Sequence, residues 1–152
     1  MSEMAPLDGM PPMDSAHELG ELEVGTVVTE RDLTLTRDSL VRYAGASGDF
    51  NPIHYRDDVA AAVGLPGVLA HGMLTMGAAV QPVVDWAGPS RILDYQVRFT
   101  RPVVVDPETG AQLHVVATVG RVDEASARID LTVTVDGKTV LGKAQVVVAT
   151  GR

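Results

Sequence analysis

The sequence predicts an α+β domain in which one antiparallel sheet wraps around a single apolar helix, and three features carry that expectation. Residues 71–87 (HGMLTMGAAVQPVVDWA) are apolar on every side, so a helix there has to be enclosed by protein rather than lie on a surface. Beyond residue 90 the chain alternates with a period of two, the pattern of strands with one buried and one wet face. The connections between those strands are short, and Asp136-Gly137 is a type I′ hairpin signal, so the sheet is antiparallel. An all-round apolar helix and a one-faced sheet each supply the surface that the other must bury.

Taken in order, residues 22–34 (LEVGTVVTERDLT) read as extended chain with β-branched residues. Thr36 is an N-cap for a helix that starts at Arg37, with Asp38 at the positive end of its dipole and Leu40, Val41 and Ala44 on one face. Gly45 and Gly48 end that helix, and Arg56–Val63 forms a second, short one stopped by Gly64 and Pro66. Within 71–87, Pro82 is expected to bend the helix or weaken its last turns. In Leu93–Phe99, Leu93, Tyr95, Val97 and Phe99 alternate with polar residues, as do Ala127, Ile129, Leu131, Val133 and Val135 in Ala127–Val135. Leu113–Val119 and Val140–Ala149 alternate less strictly, which points to deeper burial. The expected sheet is a meander of four or more strands, with one further strand ahead of the helices.

A chain of 152 residues with 45% apolar residues is expected to form one domain, here residues 21–152. Residues 1–20 carry Glu3, Asp8, Asp14 and Glu18 and no Lys or Arg, and read as a disordered acidic leader rather than a secretory or mitochondrial signal. The net charge of −8 disfavours nucleic acid and anionic membrane surfaces as partners. No apolar run is long enough to cross a bilayer, and a cytoplasmic location is the default expectation. With no cysteine, thiolate nucleophiles, thiolate metal sites and disulfides are excluded.

The chemistry-bearing stretch is Gly48-Asp-Phe-Asn-Pro-Ile-His-Tyr55. Asp49 and His54 are not at a helix spacing, so they meet only if the chain turns through Asn51-Pro52, where Pro52 fixes its own φ and pushes Asn51 to an extended conformation. A carboxylate and an imidazole sharing one water would make an acid–base site for neutral pH. The alternative is an Asx-type turn with a surface histidine. A second candidate is His71-Gly72 at the start of the apolar helix, where an unpaired backbone N–H can stabilise an oxyanion and Gly72 leaves room for a ligand. The plainer alternative is a capping histidine and a packing glycine. No metal is expected: His54 and His71 have no HxH or HExxH spacing, His17 lies in the leader, and His114 sits in a strand as a structural residue. The run 137–143 imitates the start of a phosphate-binding loop, but Ala144 stands where a Ser or Thr is needed and the run falls in a hairpin. Ser47 lacks a G-x-S-x-G elbow and is not expected to act as a nucleophile.

The segments YAGASGDFNPIHYRDDVAAAVG and LAHGMLTMG closely resemble the MaoC-like dehydratases, also called R-specific enoyl-CoA hydratases or hydratase 2. Within them the chain looks most like the motif-bearing, β-type subunit of actinobacterial (3R)-hydroxyacyl-ACP dehydratases, over roughly residues 20–150. The resemblance implies a hot-dog fold, with Asp49 as the catalytic acid, His54 as the catalytic imidazole and Asn51 as a site-shaping or polar substrate-binding residue. It puts the oxyanion donor at the Gly72 N–H, with His71 and Met73 beside it as substrate-binding neighbours. It implies a 2-enoyl or 3-hydroxyacyl thioester substrate on acyl carrier protein (ACP) or coenzyme A, no cofactor, and a homodimer or a heterodimer with another hot-dog subunit. A hot-dog thioesterase and a non-catalytic acyl-binding subunit are the competing classes, and the complete D-x-N-P-x-H motif argues against both. Arg91, Arg98 and Arg101 are candidates for a basic patch that would receive an acidic carrier protein or the phosphates of coenzyme A, or else a solvated strand face.

Overall fold

In a computed structural model, which describes residues 19–151, the elements are β1 (Val27–Leu35), α1 (Arg37–Ser47), a 3-10 turn (Pro52–His54), α2 (Asp57–Ala62), α3 (Gly72–Ala87), β2 (Ile92–Phe99), β3 (Ala111–Val122), β4 (Ser126–Val135) and β5 (Lys138–Ala149). The strands form one five-stranded sheet in the order β1-β3-β4-β5-β2, every pair antiparallel. The chain lays down one edge as β1, passes through the helices, lays down the other edge as β2, and fills the middle with β3, β4 and β5. The sheet curls around α3, which touches all five strands. This is the hot-dog arrangement.

Burial follows the period of two. Leu113, Val115, Ala117 and Val119 of β3, Ile129, Leu131 and Val133 of β4, and Val146 and Val148 of β5 face inward and meet Ala79, Val83 and Ala87 of α3. Small residues on α3 let the sheet approach it closely. The β4–β5 turn has Asp136 at φ 50° and Gly137 at φ 71°, the left-handed pair that a type I′ hairpin requires. The run 137–143 therefore lies in this hairpin and β5, not between a strand and a helix.

The meander is limited to β3–β4–β5. Residues 100–110 carry the chain from the β2 edge to β3, the neighbour of the β1 edge, held by Ala70 N–H to the Val103 carbonyl (2.8 Å) and Val105 N–H to the Val68 carbonyl (2.9 Å). Because β2 is an edge, its expected inward face is only partly covered: Tyr95 and Val97 are half-buried, but Leu93 is 60% and Phe99 55% exposed. β3 alternates more strictly than its sequence suggests.

In α1, Thr36 accepts the Ser39 N–H as the N-cap, and Leu40 and Ala44 are buried. Val41 is exposed, because only the i, i+4 pair shares the core-facing stripe. Gly45 lies inside α1, and Gly48 alone terminates it, at φ 77°. α3 runs through the buried Pro82 to Ala87, so the missing N–H costs one bond in a helix held by packing on both sides. The expected leader lies outside the described residues except at its end, where Leu19 is buried against the core. Among the described residues no helix is long and apolar enough to cross a membrane.

Candidate active site

The D-x-N-P-x-H stretch is a relay of short-range hydrogen bonds after the Gly48 stop. The Ser47 hydroxyl donates to the Tyr43 carbonyl (2.7 Å) and accepts the Asp49 N–H (3.1 Å), so Ser47 serves to shape the loop. Asp49 Oδ1 accepts the Asn51 N–H (3.2 Å), and Asn51 Oδ1 caps the 3-10 turn by accepting the Ile53 N–H (3.2 Å). Pro52 occupies the first position of that turn, where its missing N–H costs nothing.

The turn carries His54 back toward Asp49. His54 Nδ1–H donates to the Leu69 carbonyl at 2.7 Å, which assigns the tautomer because a carbonyl can only accept. The lone pair of the neutral ring is thereby placed on Nε2, 3.9 Å from Asp49 Oδ2. That separation is too long for a direct hydrogen bond and short enough for one water to bridge. The His54 side chain is 11% exposed and that of Asp49 51%, so the pair spans the boundary between protein and solvent.

His71 lies behind this pair and is 1% exposed. Its ring stacks on that of His54 at 3.9 Å with 23° between planes, and Tyr43 meets it edge-on at 4.8 Å. His71 Nε2–H donates to the Asp49 backbone carbonyl at 3.1 Å, while its buried Nδ1 has no hydrogen-bond partner among the described residues. It thus fixes the backbone of one member of the pair and the ring plane of the other.

Donor atoms of Asp49, His54 and His71 all lie within 4.8 Å of one another, close enough to raise the question of a metal. The chemistry of the set argues against one. The two rings lie only 23° from parallel, so their in-plane lone pairs lie in nearly parallel planes, a poor arrangement for two ligands of one tetrahedral ion.

A cavity of about 340 Å³ opens beside His54 and is lined by Gly72, Thr75, Phe99, Arg101 and Val103 among others. Gly72 is the first residue of α3, so its N–H has no intrahelical acceptor. A Cβ on Gly72 would meet the Phe99 ring at 3.1 Å, so only glycine leaves this wall open. The structure therefore brings Asp49, His54, His71 and Gly72 into one small volume. Asn51 supports the loop through its cap. Met73 is 58% exposed and lines a different groove with Leu33, Tyr43 and Gly77. Thr75 takes the inward place on the cavity wall, since i+3 from Gly72 lies over it whereas i+1 is turned about 100° away. Leu69, Thr75, Phe99 and Val103 were missed by sequence reasoning. For Thr75 the helix period was the available signal.

Residues 21–140 match the MaoC like domain. The chain is 40% identical over 78 residues to 3-hydroxyacyl-thioester dehydratase X of Mycobacterium tuberculosis, an alignment covering 51% of this chain and 27% of that protein. Among solved structures it superposes on a MaoC-like dehydratase with a TM-score of 0.81 and 34% identity, over 84% of this chain and 40% of the other. It also superposes on R-hydratase PhaJ1 from Pseudomonas aeruginosa with a TM-score of 0.71 and 31% identity, over 87% and 84%. The chain thus spans well under half of the first two proteins and most of the third. With the family match running from before β1 to the start of β5 and including the whole Asp49–His54–Gly72 region, the chain belongs to the MaoC like domain family.

Proposed function

We propose that this chain is a hydro-lyase, a (3R)-specific hydratase/dehydratase that interconverts 2-enoyl and 3-hydroxyacyl thioesters in fatty-acid metabolism. The observation that carries the reading is the 3.9 Å approach of Asp49 Oδ2 to His54 Nε2 beside a cavity walled by Gly72. Hydration needs a base for water, a proton for Cα and a home for enolate charge. The carboxylate and the Nε2 lone pair both accept from a water, which orients its oxygen toward Cβ of the enoyl group. As the C–O bond forms, the pair takes one proton from the water and charge moves to the thioester oxygen, stabilised by the Gly72 N–H at the start of α3. The proton then passes from the pair to Cα, and the site returns to its starting state with no cofactor consumed. Dehydration uses the same groups in reverse order.

The carrier is ACP or coenzyme A, and the location is cytoplasmic. The exposed Leu93 and Phe99 on the β2 edge support assembly with a second hot-dog subunit, another copy or a relative. The test is to mix the protein with crotonyl-CoA and follow enoyl absorbance beside a free-thiol assay. Loss of absorbance without thiol release is expected, and thiol release would make the protein a thioesterase instead. Asp49→Asn and His54→Ala are each expected to lower kcat by about 10²-fold or more, as loss of an acid–base group does. Near-normal turnover in either purified variant would remove the paired acid–base mechanism.

A further inference from the structure

Six arginines of the described chain are matched one-to-one with acids: Arg31 with Asp85, Arg37 with Asp57, Arg42 with Asp38, Arg56 with Asp58, Arg121 with Asp123 and Arg128 with Asp130. Arg91 donates to the Ala149 carbonyl at the far end of β2 from Arg98, so the three arginines grouped by the sequence are not one patch. Four cations have no acid partner among the described residues, namely Arg98, Arg101, Lys138 and Lys143, and all four are exposed. They share one end of the molecule. Arg101 lines the cavity beside His54 and also an adjoining hollow of about 320 Å³, which Lys138 lines too. Arg98 sits opposite Gly142 in the β2–β5 pairing, and Lys143 follows at a bulge with φ 46°. Asp136 is the acid in that hollow.

We propose that these four residues form the docking surface for an acidic acyl carrier protein, set at the mouth of the cavity into which the carrier's acyl thioester is delivered. The proposal rests on the hydratase reading for its choice of partner. Two observations favour a protein over a nucleotide. Lys138 and Lys143 are five positions apart along β5, up to about 15 Å allowing for the bulge, a spread suited to several acidic side chains of a protein rather than to one phosphate group. Moreover, a chain of net charge −8 repels an acidic protein on average, so an unpaired basic rim around the cavity orients the encounter as well as attracting it.

The test reads binding, which does not require turnover. A dye-labelled acidic acyl carrier protein, bearing a butanoyl phosphopantetheine arm, is titrated with the wild type, with Lys138→Glu/Lys143→Glu, and with Arg42→Glu/Arg121→Glu as a control of equal charge. Circular dichroism and thermal melting check that each variant is folded. The expected result is at least a tenfold loss of affinity in the first variant, a much smaller loss in the control, and wild-type affinity that falls as salt is raised. Equal binding by wild type and rim variant, or equal loss in both variants, would overturn the proposal. So would a rise in KM for crotonyl-CoA with carrier-protein affinity unchanged, which would assign the rim to nucleotide phosphates. Should the protein turn over no thioester yet bind the carrier through this rim, the hydratase reading fails and the docking surface stands. Lys138→Gln/Lys143→Gln repeats the comparison if the charge-reversed variant does not fold.

Discussion

The rings of His54 and His71 stack at 3.9 Å, and each is tied to a backbone carbonyl, His54 to Leu69 and His71 to Asp49. One hydrogen bond orients the imidazole of the candidate pair, and the other holds the main chain that carries its carboxylate. His71 is therefore a positioning residue. His71→Leu removes the donor to the Asp49 carbonyl, and a displacement of the carboxylate by about 1 Å is enough to cost up to 10²-fold in kcat. KM should move far less. His71→Gln can put an amide NH₂ where Nε2–H was and is expected to recover much of the lost rate. Steady-state kinetics on all three proteins decide it: equal activity of the leucine and glutamine variants would reduce His71 to a packing residue.

Gly72 offers a separate test of the cavity wall. Its added Cβ would lie 3.1 Å from Phe99 Cε1, tighter than ordinary contact, while its backbone conformation is one that alanine adopts freely. Gly72→Ala should therefore fold normally and lose about tenfold or more in kcat/KM, because the methyl intrudes where the thioester must approach the N–H. Phe99→Leu gives the methyl room, so the double variant should lie above the product of the single effects. Strict additivity of the two in kcat/KM would mean that they do not meet.

What was legible in the chain divides along physical lines. The Asp49–His54 pairing could be read because Asn51 and Pro52 are local determinants: a cap and a fixed φ act within a few residues. The Thr36 cap and the Asp136-Gly137 hairpin were legible for the same reason. Period-two alternation correctly gave the inward face of β4, whereas β3, which reads as less strictly alternating, buries every second residue from Ala111 to Val119. In β2 it named Leu93 and Phe99 as an inward face, but alternation cannot tell whether a face is covered, and at a sheet edge it is not. The cavity wall depends on segments far apart in sequence, such as Gly72 and Phe99, which no local pattern links. The resemblance implies Met73 as a neighbour of Gly72 at the site, but helix geometry turns residue i+1 away from the cavity.

Tyr95 joins the β2 edge to the central helix by donating its hydroxyl to the Met76 carbonyl at 2.9 Å, and burial pushes its ionisation well above the ordinary tyrosine range. The phenol therefore stays a donor at any pH at which the protein is handled. Tyr95→Phe keeps the ring and loses the bond, an expected cost of about 1 kcal/mol. For a chain of this size that lowers Tm by roughly 2–6 °C, measurable by differential scanning calorimetry. An unchanged Tm would show that this bond adds nothing to the attachment of β2.

His114 lies on the outer face of β3 between two acids of β1, with Nδ1 2.7 Å from Asp32 Oδ1 and Nε2 3.1 Å from Glu30 Oε1. The hydrogen bond that His114 donates to Asp32 first, and then the charges of both acids, hold its pKa above the ordinary histidine value near 6.5. The folded state thus binds the proton more tightly than the unfolded state. The stabilisation is fully present below pH 6.5 and is lost as pH rises through the raised folded-state value. Because the side chain is 44% exposed, solvent and salt screen the effect, and it should be small. Melting curves of wild type and His114→Gln at pH 5.5 and pH 9 test it: the wild type should lead by more at pH 5.5, and by less when salt is raised to 1 M. A lead that is larger at pH 9 would contradict the raised pKa, and a lead independent of pH would mean that His114 acts by packing alone.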